Sequence, residues 1–538
     1  PDLSLLAMMG YDATTFGNHE FDYGIDSLTK MLQSASQAPT ILSGNLVFGD
    51  DEQSQAFQQA WSDKGGTDTK IIERGGYKIG IFAVMGKDSI DYIATPGNNH
   101  FSDQIESAKA SVKKLKSEGA QIILCLSHSG TNENPKQSED EILAQKVDGI
   151  DVIISGHTHT VLQEPIYHNH TWIVSAGSFG KYLGMLDINP ETKEKIDYQL
   201  IPITADSPVD SNIQAQIQEY KGYVNQYLAQ SEYSMDQVIA HSNFAIQDIN
   251  EDYTSFNDNA IGDLVADAYV YASRLSTKDT SFTIGLTAKG IIRSGLPQGD
   301  ITLSDIYDVS SLGKDSDGLL GYPLIRVYLK GSDLMKVAEL DRSIGKSMMV
   351  DGQLYFSDMQ YQYSDYRFFL NHVISTEIRT NAGFYIPLDE DKLYPVITNL
   401  YIANMLPTIG KRTMNQLEIH TYDASGHLID NFNDMILYNA DGTELKEWQA
   451  VTRYISDMDR VNGIPEISSE YQVARHQKIA DTKFSFIRFF KNTSAFGYRV
   501  YVFGFIAIVL LFAIIRLIIF FIAKRYMKKT GNQADESE

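Results

Sequence analysis

Cysteine is almost missing from this chain: Cys125 stands alone in 538 residues. No internal disulfide can form, so the fold must be held by packing and hydrogen bonding. Cys125 lies inside the apolar run Ile122-Ile123-Leu124-Cys125-Leu126, where a thiol serves as a small core side chain; a reactive thiol is the alternative. Basic charge is also scarce. Forty-five Lys and Arg face 69 Asp and Glu, a net charge of -24, which argues against a nucleic-acid polymer as partner because phosphate backbones seek basic surfaces. There is no internal repeat. At 538 residues the chain exceeds what one core can serve, and a hydrophobic content of 43% is ordinary for globular protein, so roughly two to four folded domains are expected.

Against these absences, histidine is concentrated. Gly17-Asn18-His19-Glu20, Ser127-His128 and Gly156-His157-Thr158-His159 hold four of the 12 histidines, each segment following a run that reads as a buried strand or its flanking turn. Imidazole and amide donors at strand ends suit a borderline or hard divalent metal that activates water. Asn18 fits a ligand through its amide oxygen, with Gly17 letting the backbone turn; a helix N-cap is the competing role. His19 and Asp22, three apart at a helix start, share one face, where the carboxylate orients the imidazole; a surface ion pair is the plain alternative. His157 and His159 flank Thr158 and point the same way in an extended loop. His168 and His170 repeat that spacing without an accompanying acid or glycine and read as surface residues. Negative net charge does not exclude a small phosphorylated substrate, since bound metal reverses the local field.

The order of elements predicts an α/β layered domain. Ile25, Leu28, Met31 and Leu32 keep helical spacing, as do Ile105, Ala108, Val112 and Leu115, while 79–84, 121–126 and 151–154 read as strands and 141–147 as a short helix. Ligands gather beyond the carboxyl ends of such strands, where His128 and His157 stand. Near Asn189-Pro190 the strand pattern stops, and 211–228 reads as a connecting helix. Beyond it, 259–273 has the spacing of a buried helix, Gly299-Asp300-Ile301-Thr302 reads as a turn before another element, and 394–399 reads as a strand.

One run, 501–523, is apolar except for Arg516 and long enough to cross a bilayer as a helix. Lys524, Arg525, Lys528 and Lys529 follow it, so the positive-inside tendency leaves a short cytoplasmic tail and places the preceding domains outside. Arg516 snorkels toward that basic interface or meets a partner helix. An exported protein with one cysteine fits a bacterial surface better than an animal one.

GNHEFD, a lone strand-end histidine and GHTH, in that order, resemble the calcineurin-like metallophosphoesterases, and more closely the 5'-nucleotidase and 2',3'-cyclic-nucleotide phosphodiesterase family. The resemblance covers most of the chain up to about Asn404. It implies that Asn18, His128 and His157 bind one metal and His159 a second, both of the Zn, Mn, Ca or Co class. It also implies that His19 is a catalytic histidine stabilising charge on the transferring phosphoryl group, with Asp22 as its orienter. That family carries two earlier segments, a D-x-H and a G-D with the metal-bridging Asp. Neither is present, and the chain opens at Pro1 with no initiator Met or signal peptide, so it reads as a fragment that keeps at most one weakly bound metal and turns over poorly.

In the second domain Arg293 resembles the arginine that grips substrate phosphate, and Tyr401 one of two aromatics that stack on the base; both are equally readable as structural residues. The family's N-G-G-G-I-R is Ala288-Lys289-Gly290-Ile291-Ile292-Arg293 here. Its P-F-G-N is Ser310-Ser311-Leu312-Gly313, and its acidic G-G-D is lost near Asn404-Met405-Leu406. An upstream phosphate arginine is absent, with Asn257 near that place. The expected layout is therefore a metallophosphoesterase domain incomplete at its start (1–205), a linker helix (206–232) and an α+β substrate domain (233–465). A juxtamembrane stalk (466–500), a transmembrane helix (501–523) and a cytoplasmic tail (524–538), disordered after Thr530, complete it. The activity implied is metal-dependent hydrolysis of phosphate esters, nucleotide-like, at the outer cell surface. A degenerate surface binding or scaffold protein is the alternative.

Overall fold

The computed structural model describes residues 2–93, 95–204, 206–228, 233–249, 256–278, 282–310, 312–313, 320–346, 352–380, 382–413, 416–483, 485–493 and 495–535. Ser311, residues 229–232 of the linker and the last three residues of the tail lie outside them. The first domain is built on a six-stranded sheet. Its central strands Tyr77–Met85, Ile122–His128, Val152–Ser155 and Thr171–Val174 run parallel, and Thr69–Arg74 and Ile166–His168 close the two edges antiparallel. The parallel strands read as near-continuous apolar runs, and helices cover one face, while on the other Ile154 is 45% exposed. On one face the helix Gln104–Ser117 buries Ala108, Val112 and Leu115, and Glu139–Lys146 adds Leu143 and Ala144, against Phe82, Cys125 and Ile153. Cys125 is fully buried and burial drives its thiol pKa up, which makes it a core side chain.

Register fixes where the chemistry falls. Met85 pairs with His128, and Ser127 with Ser155, so Gly86, His128 and Gly156 leave the sheet at the same end. A separate parallel pair, Ala13–Thr15 with Thr40–Leu42, delivers the turn Asn18–Phe21 to that end. The strand pattern does not stop at Asn189-Pro190. Tyr182–Ile188 turns there and returns as Lys195–Pro202, a hairpin whose second strand carries the alternation Ile196, Tyr198 and Leu200 that the sequence reading passed over. The helix Ser211–Leu228 then leads into the second domain.

There a mixed sheet in the order Leu324–Lys330, Leu393–Asn399, Ile284–Ala288, Leu354–Ser357 lies between two helical layers. Ile397 and Tyr355 pack toward the helices Ala260–Thr277 and Glu447–Ser456, while Val396 and Leu354 pack toward Gly331–Leu340 and Leu400–Arg412. Asn259 caps the first of these helices, its side-chain oxygen accepting the Ile261 N–H at 2.9 Å. Gly299–Thr302 is a strand pairing with Val238–Ser242, where a turn was expected. The segment expected to be a stalk is partly woven into this domain: Lys478–Ala480 runs parallel to Met359–Tyr363 in a second four-stranded sheet. A strand of three residues is too short to show a period in sequence.

The helix Ala495–Asp535 contains Gly497–Ile522, a 26-residue stretch long and apolar enough to cross a membrane, with mean hydropathy 3.2 over its most apolar 18 residues. It continues past Thr530, where disorder was expected, to Asp535. His168 also departs from its surface reading. It is half-buried, with Nε2 2.6 Å from Oε2 of the buried Glu141, whereas His170 occupies the exposed hairpin turn at φ 66°.

Candidate active site

Asn18, His19, His128, His157, His159, Arg293 and Tyr401 all line one cleft between the two domains, about 1040 Å³ including its open mouth. Asn18 is buried in a 3-10 turn whose cap is Gly17, so its side chain is not spent on capping. Its Oδ1 lies 2.9 Å from His128 Nε2. A Cβ on Gly17 would sit 2.7 Å from the His128 ring, so close approach, and not a positive φ, demands glycine there. Glu20 closes the turn, its Oε2 accepting the Gly17 N–H at 2.5 Å; burial raises its pKa, and that bond opposes the rise.

His19 Nδ1 lies 2.8 Å from Asp22 Oδ2, with the Asp22 side chain 2% exposed and the imidazole 36%. A buried carboxylate against a half-exposed ring is no surface pair; it fixes the tautomer and leaves Nε2 for the cleft. The second domain reaches this pair. Burial raises the Tyr322 pKa, with Asp22 the largest charge adding to the rise, and the Tyr23 hydroxyl engages the Gly313 backbone.

His157 and His159 both adopt left-handed backbone, φ 75° and 54°. Residues other than glycine seldom hold that conformation, and two within three positions turn both rings into the cleft. The His128 and His157 ring centroids are 5.1 Å apart. Burial pushes the His128 pKa well below its ordinary value, reinforced by His157, His19 and His159, so its ring is neutral as a ligand must be.

Three residues escaped sequence reasoning. Asp88 places Oδ2 3.4 Å from His157 Nε2, Tyr92 sets its ring 6.0 Å from that imidazole, and Phe179 lies between His159, at 5.5 Å, and the Arg293 guanidinium, at 5.6 Å. The available signal was position: Asp88 opens the helix Lys87–Asp91 right after the strand Tyr77–Met85, at the carboxyl end where ligands collect. Behind it, burial lifts the Glu139 carboxyl to about 7, and its Oε1 accepts the Asp88 N–H at 3.2 Å.

Tyr401 sits in the first turn of Leu400–Arg412 with its ring 5.1 Å from that of Tyr322, so an aromatic neighbour is present despite the altered 310–313 segment. The N and O donors Asn18, His128 and His157 suit one divalent ion. Among the described residues no group of three or more His, Cys, Asp or Glu side chains is placed to hold a metal ion; the cluster here combines histidines with the Asn18 amide.

A layered α/β domain with histidines at its strand ends, closed by a second domain, is the architecture of the two-domain phosphoesterases. More closely, the fold is that of the 5'-nucleotidases, and the chain is a homologue of them: residues 238–406 match the family described as 5'-nucleotidase, C-terminal domain. Residues 2–181 match a family described as bacterial capsule synthesis protein PGA_cap. Over 438 residues the chain is 27% identical to the trifunctional nucleotide phosphoesterase protein YfkN of Bacillus subtilis (strain 168), covering 75% of this chain and 28% of that protein. It is 27% identical to the 5'-nucleotidase of Mus musculus, covering 74% and 69% respectively. The 5'-nucleotidase precursor from Thermus thermophilus superposes with a TM-score of 0.66 at 22% identity, over 90% of this chain and 86% of that one.

Proposed function

We propose that the protein hydrolyses phosphate esters in a metal-dependent reaction at the outer cell surface. The observation that carries this reading is the convergence of the five Asn and His side chains, Arg293 and Tyr401 on one cleft although they are spread over more than 380 positions. Asn18, His128 and His157 would hold a divalent ion, with His159 toward a second. A bound ion would supply an activated water and offset charge on the phosphoryl oxygens. His19, held by Asp22, stabilises the negative charge that develops as the ester bond breaks. Arg293 offers a planar guanidinium to the phosphate oxygens, and Tyr401 an aromatic face to the leaving group. The nucleotidase relatives support a nucleotide-like ester, with weakened selectivity because the ribose-holding acid and the 310–313 aromatic are missing.

Hydrolysis of a small aryl phosphate by the natural protein, with and without added Mn or Zn, tests this. Turnover that appears with metal and disappears with chelator is expected. No turnover with any divalent ion would favour the scaffold alternative, to which the altered 288–293, 310–313 and 404–406 segments of the second domain also point.

Orientation has its own test. The basic cluster after the apolar helix keeps the tail in the cytoplasm. Protease outside intact cells is therefore expected to release a fragment containing His159 and Arg293 while sparing the residues after Lys524. Protection of that fragment would put the catalytic domains inside.

A further inference from the structure

Away from the histidines the cleft changes character. Its second-domain wall is one face of the helix Leu400–Arg412, where Ile402, Met405, Leu406 and Ile409 recur at helical spacing above the buried core residues Val337 and Leu340 of the helix Gly331–Leu340. Among the described lining residues other than Asn18, the four histidines, Tyr92, Arg293 and Tyr401, every one is apolar or glycine. Among the described residues that line this half, no side-chain donor or acceptor awaits a ribose hydroxyl or a base edge. A nucleoside would bury several such groups, and each one left unpaired weakens binding roughly five- to 150-fold. A hydrocarbon loses nothing of the kind and gains from leaving water.

A second observation points the same way. The base of the apolar C-terminal helix packs on this same domain: the Tyr501 and Phe368 ring centroids are 5.0 Å apart, and Asn371 Nδ2 donates to the Tyr501 hydroxyl at 3.2 Å. The domain that forms the apolar half of the cleft is thus the one tied to the membrane-anchoring segment.

Resting on the phosphoesterase reading above, but departing from the nucleotide-like leaving group that the relatives support, we propose that the substrate is a phosphate monoester of an aliphatic alcohol. The phosphate meets Arg293 and the histidine cluster, and the hydrocarbon lies along the helix Leu400–Arg412. A water oxygen bonds to phosphorus, the ester P–O bond breaks with its electron pair on the alcohol oxygen, and that oxygen takes the proton the water gives up. Inorganic phosphate and an apolar alcohol leave. Tyr401, propped on Tyr322, stands where the polar and apolar halves meet.

The experiment is kcat/KM for the natural protein on ethyl, butyl, hexyl and decyl phosphate, with AMP and an aryl phosphate alongside. Each methylene buried is worth roughly fourfold, so burying three or four of those that separate butyl from decyl gives an expected rise on the order of 100-fold, with decyl phosphate preferred to AMP. The ratio of decyl to ethyl turnover is expected to fall at least fivefold in Met405→Gln. Flat chain-length dependence, or AMP preferred, overturns this proposal and leaves the phosphoesterase reading standing. No turnover of any ester, aryl phosphate included, brings down that reading and this proposal together. Decyl phosphate free in solution, compared with the same ester in phosphatidylcholine vesicles, separates a dissolved from a membrane source; preferential turnover of either form supports the proposal.

Discussion

Replacing His19 by alanine in the natural protein is expected to lower turnover of a phosphate ester by ~100- to 1000-fold while leaving bound metal nearly unchanged. The magnitude is that of removing one positioned group that stabilises developing charge. The geometry separates this effect from metal loss: His19 is tied through Nδ1 to Asp22, whereas Asn18, His128 and His157 are the clustered donors. His128→Ala is expected to lose the metal instead, because its ring touches both other donors. Turnover and metal content, the latter by elemental analysis, are measured on both variants. If His19→Ala is stripped of metal, or His128→Ala keeps its full complement, the division of roles is wrong.

The second large effect is on stability. Glu447 is fully buried between the domain's sheet and the helix Ala260–Thr277, and its Oε2 accepts from the Tyr269 hydroxyl and from Asn399 Nδ2. The Tyr322 backbone also favours the charged form, and the neighbouring Lys446 pairs with Glu444. Burial outweighs the bonds and lifts the carboxyl from 4.5 to about 7. The folded state therefore keeps its proton where the unfolded chain has lost it. Below pH 4.5 both forms are protonated and nothing is lost; as pH rises through this window to about 7, stability falls by about 3 kcal/mol and then levels off.

Glu447→Gln keeps an acceptor for Tyr269 and Asn399 without the ionisation. The variant is expected to unfold at the same temperature as the parent or lower at pH 4.5, and at a distinctly higher one at pH 8, in detergent. Asp263, also lifted to about 7 mainly by burial, adds a slope common to both proteins, so their difference isolates Glu447. Parallel melting curves across that pH range would show that Glu447 ionises in the fold as readily as in the unfolded chain.

Both predictions use residues whose legibility differed. His19 and Asp22 were readable because three positions at a helix start form a local relation that the backbone enforces. Glu447 was not, since its burial comes from Tyr269 and Asn399, 178 and 48 positions away. The same division holds for Asn18, which the 17–20 motif marks as a donor, and for Phe179, an unremarkable aromatic until Arg293 is brought against it.

By itself the sequence determined the alternation of strands and helices in the first domain, the donor residues at the strand ends and the apolar C-terminal helix. Each is written in neighbours a few positions apart, through helical or strand period, turn glycines and run length. Only the tertiary structure decided that Arg293 and Tyr401 face the histidines, that Lys478–Ala480 completes a sheet, and that the second half of the cleft is apolar. In sequence, Ile402, Met405 and Ile409 are merely one face of an amphipathic helix, and that pattern is the same whether the face meets a core or an open cleft. Which it meets depends on how the layers of two domains pack, a matter of contacts between distant parts of the chain that no local period encodes.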